Sequence, residues 1–133
     1  MRVLYIIDYG TIGGATKAFI DLVLSEKALG VHPIVITSQY NEINELLDSY
    51  RISNISAGHY TVLEPFKIKS IRSLWWLLKM LWRYYSSEKK AYKTIMSKIN
   101  FDNIDIVHSN TNRCTLGCYI NKRHKIPHIM HIR

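Results

Sequence analysis

The residues of this sequence best suited to chemistry are a glycine pair and a set of histidines. Gly13-Gly14 closes the stretch Asp8-Tyr9-Gly10-Thr11-Ile12-Gly13-Gly14, which follows the apolar run Val3-Leu4-Tyr5-Ile6-Ile7. Glycines lack a Cβ, so their backbone N–H groups can approach a phosphate closely. A helix starting there adds free N–H groups and the positive end of its dipole. The pair is equally suited to nothing more than a tight strand-to-helix turn. The dinucleotide pattern G-x-G-x-x-G and the phosphate-loop pattern ending in Lys-Ser/Thr are both missing, which argues against NAD binding and ATP hydrolysis. Asp8 stands where a catalytic or ribose-binding acid would be useful, and equally where an Asp would cap loop N–H groups.

His108, His128 and His131 fall in or at the ends of strand-like runs. Joining them with Cys114 and Cys118 would scatter metal ligands over several elements, and Cys-x-x-x-Cys is not a usual zinc spacing. No metal site is expected. His128 alternates away from Ile129 and reads as a packed histidine. His32 and His59 read as surface or loop residues. The two cysteines are expected to pack on a helix face, and their spacing is awkward for a disulfide. So few cysteines fit a reducing compartment.

The third feature is charge. Residues 67–93 hold eight Lys/Arg (Lys67, Lys69, Arg72, Lys79, Arg83, Lys89, Lys90, Lys93) against one acid, Glu88, and so carry most of the formal +8. Such a segment calls for an anionic partner. Ile71, Leu74, Trp75, Leu78, Leu81, Trp82 and Tyr85 recur at helical spacing and are expected to form a stripe packed on the core. The opposite face holds Lys69, Arg72, Lys79 and Arg83, with Trp76 and Met80 among them. Large apolar side chains among cations suit an anionic membrane interface, so Arg72, Trp76, Lys79, Met80 and Arg83 are the expected membrane surface. Packing of Trp76 and Met80 against residues 56–66 or a further domain is the alternative. Nucleic acid is not expected: the aromatics lie on a helix rather than a sheet platform, and no binding motif is present. The run Leu74 to Tyr85 is too short and too charged to span a bilayer.

These residues need elements to hold them. Val3–Ile7 and Ile34–Thr37 read as strands buried on both faces. Ala15, Ala18, Phe19, Leu22, Val23 and Leu29 mark a helix between them, with Gly30 as its C-terminal stop. Asn41 is a candidate cap for a second helix through Ile43, Leu46, Leu47 and Tyr50. A short strand is expected at Ile52–Ile55, loop over 56–66, and helix over Ser70–Ile99, broken near Ser86-Ser87. Ile104–His108 reads as a strand, Thr111–His124 as a helix with cations at its end, and His128–Ile132 as a last strand. Alternating strands and helices in 133 residues, with 47% hydrophobic, predict one α/β domain. The expected fold is a Rossmann-like doubly wound parallel sheet. A sheet of this kind normally continues after a strand such as the last one here, so the chain is expected to be a fragment. The alternative is a small complete flavodoxin-like domain.

Strand, loop, Gly13-Gly14-Ala15-Thr16 and an apolar helix resemble the start of family 4 glycosyltransferases of the GT-B fold. Asp105-Ile106-Val107-His108-Ser109-Asn110 resembles that family's fourth strand. Ile126-Pro127-His128-Ile129-Met130-His131-Ile132-Arg133 resembles its next strand, often read His-x-Arg-Glu. The resemblance runs in order along nearly the whole chain except 56–100. It implies that residues 1–133 are a partial N-terminal, acceptor-side domain of a two-domain enzyme, the incomplete N-terminal half of a GT-B fold. Gly13 and Gly14 would contact the donor diphosphate. His131 would be the catalytic contact near the transferred sugar, and Asn110 and Thr111 would line the acceptor cleft. The donor would be a nucleotide-diphosphate sugar, with no metal and no other cofactor. The acceptor would be a glycan or lipid-linked molecule of the cell envelope, met at the cytoplasmic face of the plasma membrane. The C-terminal domain, with the family's paired glutamates, would be a further partner. The competing reading is a non-catalytic Rossmann-like module that docks on a membrane or a protein.

Overall fold

A computed structural model describes residues 1–8, 12–59, 70–111 and 115–131. Five strands form one parallel sheet in the order β3-β2-β1-β4-β5. The elements are β1 (Arg2–Ile6), α1 (Gly14–Ala28), β2 (His32–Thr37), α2 (Glu42–Ser49), β3 (Ser53–Ser56), α3 (Ile71–Met96), a 3-10 turn at Phe101–Asn103, β4 (Ile106–Ser109), α4 (Leu116–His124) and β5 (His128–Met130). Strand β1 lies in the middle, with Tyr5 opposite Val35 of β2 and His108 of β4. The fold is the doubly wound α/β sheet that the sequence pattern predicts.

The near-continuous apolar β1 follows from burial on both sides. Leu4 and Ile6 face one core with Val107, Leu116, Ile120, Ala91 and Ile95, under α3 and α4. Val3, Tyr5 and Ile7 face the other with Phe19, Val23, Ile43 and Leu47, under α1 and α2. Strand alternation assigns each residue its side.

Local chemistry fixes the element ends. After α1 the chain turns at Gly30, whose φ is +86°. Gly30 N–H donates to Lys27 O and Val31 N–H to Glu26 O, the paired bonds of a glycine-terminated helix. Helix α2 opens with a reciprocal cap: Asn41 Oδ1 accepts from Ile43 N–H, and Asn44 Oδ1 accepts from Asn41 N–H. Asn44 is fully buried and also donates to Asn54 Oδ1 at 2.8 Å, tying α2 to β3. A buried amide is tolerated there because its polar atoms have partners.

Four expectations need correction. Helix α3 runs unbroken through Ser86 and Ser87; their hydroxyls donate to the carbonyls of Arg83 and Tyr84 and do not disrupt the helix. Helix α4 begins at Leu116, not Thr111; Thr111 belongs to a buried bend after β4. The stretch Ile104-Asp105 precedes β4 and closes the 3-10 turn. The largest difference concerns α3. Its buried residues are Tyr84, Glu88, Ala91 and Ile95, in line with half-buried Ser73, Leu77 and Met80. The stripe expected in the core points outward instead: Ile71, Leu74, Trp75, Leu78, Leu81, Trp82 and Tyr85 are all exposed, Trp75 and Trp82 each at 71%. Met80, expected on the wet face, lies on the line turned towards the body.

The physical reason is length. Helix α3 has 26 residues, about 39 Å at 1.5 Å per residue. The strands beside it have four to six residues, about 20 Å or less. Only the second half of α3 has a sheet to cover. Tyr84 marks where the body begins, since its hydroxyl shares a hydrogen bond with Thr115 Oγ1 at the start of α4, and Thr115 Oγ1 also donates to buried Glu88. The parallel crossover from β3 to β4 sends α3 down from the strand C-terminal ends. Residues Ile71 to Arg83 precede that point, and none of them is fully buried.

Candidate functional site at the strand ends

In an open α/β sheet the ligand crevice lies outside the strand C-terminal ends, where connections leave to opposite faces. Here that point is between β1 and β4. From β1 the chain passes to α1 on one face, and from β4 it passes to α4 on the other.

Helix α1 starts at this crevice. Gly13 is its N-cap, in extended backbone (φ −120°), and offers no side-chain cap. The described glycines with positive φ are Gly30 and Gly58, so neither Gly13 nor Gly14 is required by backbone conformation. A Cβ built on either would meet none of the described residues within 4 Å. Tyr9, Gly10 and Thr11 lie outside the described residues.

His131 stands just past β5 and is exposed. Its N–H donates to Ser109 O at 2.8 Å, extending the ladder by one residue. Its ring lies 6.2 Å from that of His108, and His108 lies 5.4 Å from Tyr5, which packs edge-on against Phe19 at 5.8 Å. This row of rings crosses the sheet on the α1 face. The fold thus brings His131 and the Gly13-Gly14 mouth to the same face and the same end. Strand β5, which His131 follows, lies two strand spacings, about 10 Å, from β1 in the sheet.

Asn110 and Thr111 sit at the end of β4, where Asn110 N–H donates to Ile6 O at 3.0 Å. Both are buried, Asn110 fully. His128 points to the α4 face, away from His131. Its Nε2 shares a hydrogen bond with Ser109 Oγ at 2.9 Å, and its Nδ1 lies 3.8 Å from Cys118 Sγ. Burial lowers the pKa of His128 below its ordinary value, which suits a packed, neutral imidazole, as its position in the sequence suggested. Cys118 is half-buried on α4; Cys114, Ile132 and Arg133 lie outside the described residues. Among the described residues no three His, Cys, Asp or Glu side chains gather where a metal ion could sit.

Three residues at this end escaped sequence reasoning. His59 is not a surface histidine: it is only 5% exposed. The chain after β3 crosses the end of β2, with Ala57 N–H to Thr37 O and Gly58 N–H to Ser38 O, and turns at Gly58 with φ +71°. His59 then lodges against the Ile7 backbone. Neither ring nitrogen has a hydrogen-bond partner of good geometry. Burial pushes its pKa down to about 4, with the Ile7 backbone opposing the shift. Nothing in the local sequence marks this. Gly117 is the second: a Cβ there would strike Ser109 Oγ and His128 Nε2. A glycine inside a helical pattern was the available sign. Glu88 is the third. It is the single acid in the basic segment, and it is buried to anchor Thr115.

The membrane surface expected from sequence divides in the structure. Arg72, Trp76, Lys79 and Arg83 are exposed, while Met80 is half-buried. No helix among the described residues is long and apolar enough to cross a membrane.

Solved structures share this fold. The chain is similar to a glycosyltransferase from Rickettsia africae ESF-5 (TM-score 0.55, 18% identity, 97% of this chain and 28% of that one). It is similar to HepE of Anabaena, solved in complex with UDP-glucose (TM-score 0.60, 16% identity, 98% of this chain and 28% of that one). It is also similar to MurG of Acinetobacter baumannii (TM-score 0.59, 16% identity, 98% and 34%). At these identities the likeness is one of fold, and the chain spans about a third or less of each of those proteins. No family model and no curated protein matches the sequence.

Proposed function

We propose that this chain is the acceptor-side part of a glycosyltransferase, of the family 4 kind that its motifs resemble. It lends Gly13 and Gly14 to the diphosphate of a nucleotide-sugar donor. The observation that supports this reading is the start of α1: two glycines outside the left-handed region, where a Cβ would meet none of the described residues within 4 Å. A diphosphate held there would meet backbone N–H groups and the positive helix end. That is the electrostatic stabilisation a departing nucleotide diphosphate needs. The UDP-glucose complex of HepE supports the ligand class.

In this reading His131 is the catalytic contact, on the same face and at the same end of the sheet as the start of α1, close to where the transferred sugar would lie. Asn110 and Thr111 shape the floor of the acceptor cleft. A C-terminal domain supplies the remaining nucleotide-sugar contacts. No metal takes part, because helix dipole and cations neutralise the leaving group. The acceptor is a glycan or lipid-linked molecule of the cell envelope. The basic line Arg72, Lys79 and Arg83, with Trp76, holds the protein against an anionic membrane at its cytoplasmic face.

Calorimetric titration of UDP-glucose into the chain tests the central claim. Saturable binding that a Gly14→Ala variant weakens supports it. Binding of equal strength in both refutes the assignment of the glycines. No binding in either favours the non-catalytic docking module.

A further inference from the structure

The crevice outside the strand C-terminal ends occupies one pole of the sheet. A cleft of about 460 Å³ opens at the other pole, with Met96, Lys98, Ile99, Phe101, Asp102 and His124 in its walls. Sites for small molecules have volumes of about 300–1,000 Å³. Three elements converge on this cleft: the C-terminal end of α3, the 3-10 turn that precedes β4, and the last residue of α4.

The walls are held in place by their own bonds. Lys98 N–H and Ile99 N–H both donate to Ile95 O at 2.9 Å, which fixes the chain as it leaves α3. Asn100 Oδ1 accepts from Asp102 N–H at 3.0 Å and so braces the 3-10 turn. The His124 ring stacks on buried Phe101, with centroids 4.2 Å apart and planes 19° from parallel. Its Nε2 shares a hydrogen bond with the Tyr92 hydroxyl at 2.8 Å, which sets the orientation of the ring. Its Nδ1 has no hydrogen-bond partner among the described residues. A site built this way loses little freedom on binding.

The charges in the cleft select the ligand. Lys98 and Asp102 are both exposed, and neither forms an ion pair among the described residues. A simple anion would be drawn to Lys98 and repelled by Asp102, and a simple cation the reverse. A molecule carrying both charges pairs with both. The negative end of the α3 dipole favours its cationic group. When the Tyr92 hydroxyl donates to Nε2, His124 carries its proton on Nδ1 and can donate to the anionic group. Between the charges, exposed Met96 and half-buried Ile99 offer apolar surface.

We propose that this cleft binds a small zwitterion with an apolar side chain, an α-amino acid of the phenylalanine or leucine kind. The carboxylate pairs with Lys98 and His124, the ammonium with Asp102 and the end of α3, and the side chain lies against Met96 and Ile99. The site shares no residue with Gly13-Gly14, Asn110-Thr111 or His131, so it stands apart from the transferase reading.

The test is an amide-resolved NMR titration of the chain with phenylalanine, N-acetylphenylalanine and phenylalaninamide. Phenylalanine is expected to give saturable shifts around residues 96–103 and 124 and none at Gly13 or Gly14. Each blocked compound lacks one charge and is expected to bind about tenfold more weakly. Lys98→Gln is expected to weaken phenylalanine to a similar degree and leave phenylalaninamide no weaker. Asp102→Asn is expected to weaken phenylalanine and leave N-acetylphenylalanine no weaker. Both positions are exposed, and a loss of folding could not produce this crossed pattern. Equal affinity for all three compounds overturns the zwitterion in favour of apolar contact alone. Absence of saturable shifts around the cleft overturns the site itself.

Discussion

Replacing Gly14 by alanine separates a glycine kept for folding from one kept for a ligand. Gly14 is the first residue of α1, and its would-be Cβ meets none of the described residues within 4 Å. Its φ is not in the left-handed region. Alanine there restricts the unfolded chain without straining the folded one, which stabilises a protein by about 0.4–1 kcal/mol. For a chain of 133 residues, an unfolding entropy of about 2.1 cal/mol/K per residue converts this to a melting rise of roughly 1–4 °C. The same methyl group occupies space where a diphosphate would approach the backbone. Loss of one charge-assisted hydrogen bond costs about 1.5–3 kcal/mol, a weakening of roughly tenfold or more. Calorimetric melting and UDP-glucose titration of one preparation give both numbers. The expected outcome is a more stable protein that binds more weakly. A fall in melting temperature of several degrees would show that Gly14 serves the fold, and unchanged affinity would show that no phosphate comes near it.

Gly117→Ala should have the opposite signature, because its methyl group strikes the Ser109–His128 pair. Overpacking plus a lost hydrogen bond should cost about 2–4 kcal/mol, measured by urea unfolding. His59 should make stability depend on pH. Its folded pKa is depressed to about 4 from an ordinary 6.5, so the unfolded chain binds the proton more readily. The contribution is complete above about pH 6.5 and is lost as pH falls towards 4, about 3 kcal/mol in all. A His59→Phe variant should flatten that part of the stability–pH curve, and an unchanged slope would refute the assignment. In the proposed two-domain reading, residues 1–133 by themselves should show no sugar transfer in a radiolabelled-donor assay.

What the sequence reveals and what it hides divides along physical lines. Strands β1 and β2, helix α1 with its stop at Gly30, and the Asn41 cap rest on local signals: an apolar run, helical spacing, a positive φ, a side-chain cap. These were legible. Helical periodicity also showed that α3 has an apolar stripe, but not which side a sheet would cover. The inward line through Ser73, Met80, Tyr84 and Glu88 is the less apolar one. It faces the body because Thr115 and the end of the sheet happen to stand there, which depends on strand length and crossover geometry. His59 was invisible for a similar reason: its burial depends on a turn at Gly58 and on the end of β1, fifty residues away along the chain. The glycine pair was legible as a motif, while the choice between turn and ligand is not written in the local sequence, because both use the same missing Cβ.

The central position of β1 has a consequence for how the chain assembles. Its neighbours are β2, which pairs Arg2 with His32, and β4, which pairs Val3 with Ile106. Arg2 N–H also donates to Asp105 across 103 positions. With every strand parallel, no hairpin forms a quick local nucleus, and long-range closures of this kind slow folding. During synthesis β1, β2 and β3 can zip together early with α1 and α2. One edge of β1 must then wait until β4 emerges some seventy residues after β2. Through that interval an apolar strand presents an unpaired edge, which is when the nascent chain is most exposed to mispairing and most in need of a chaperone.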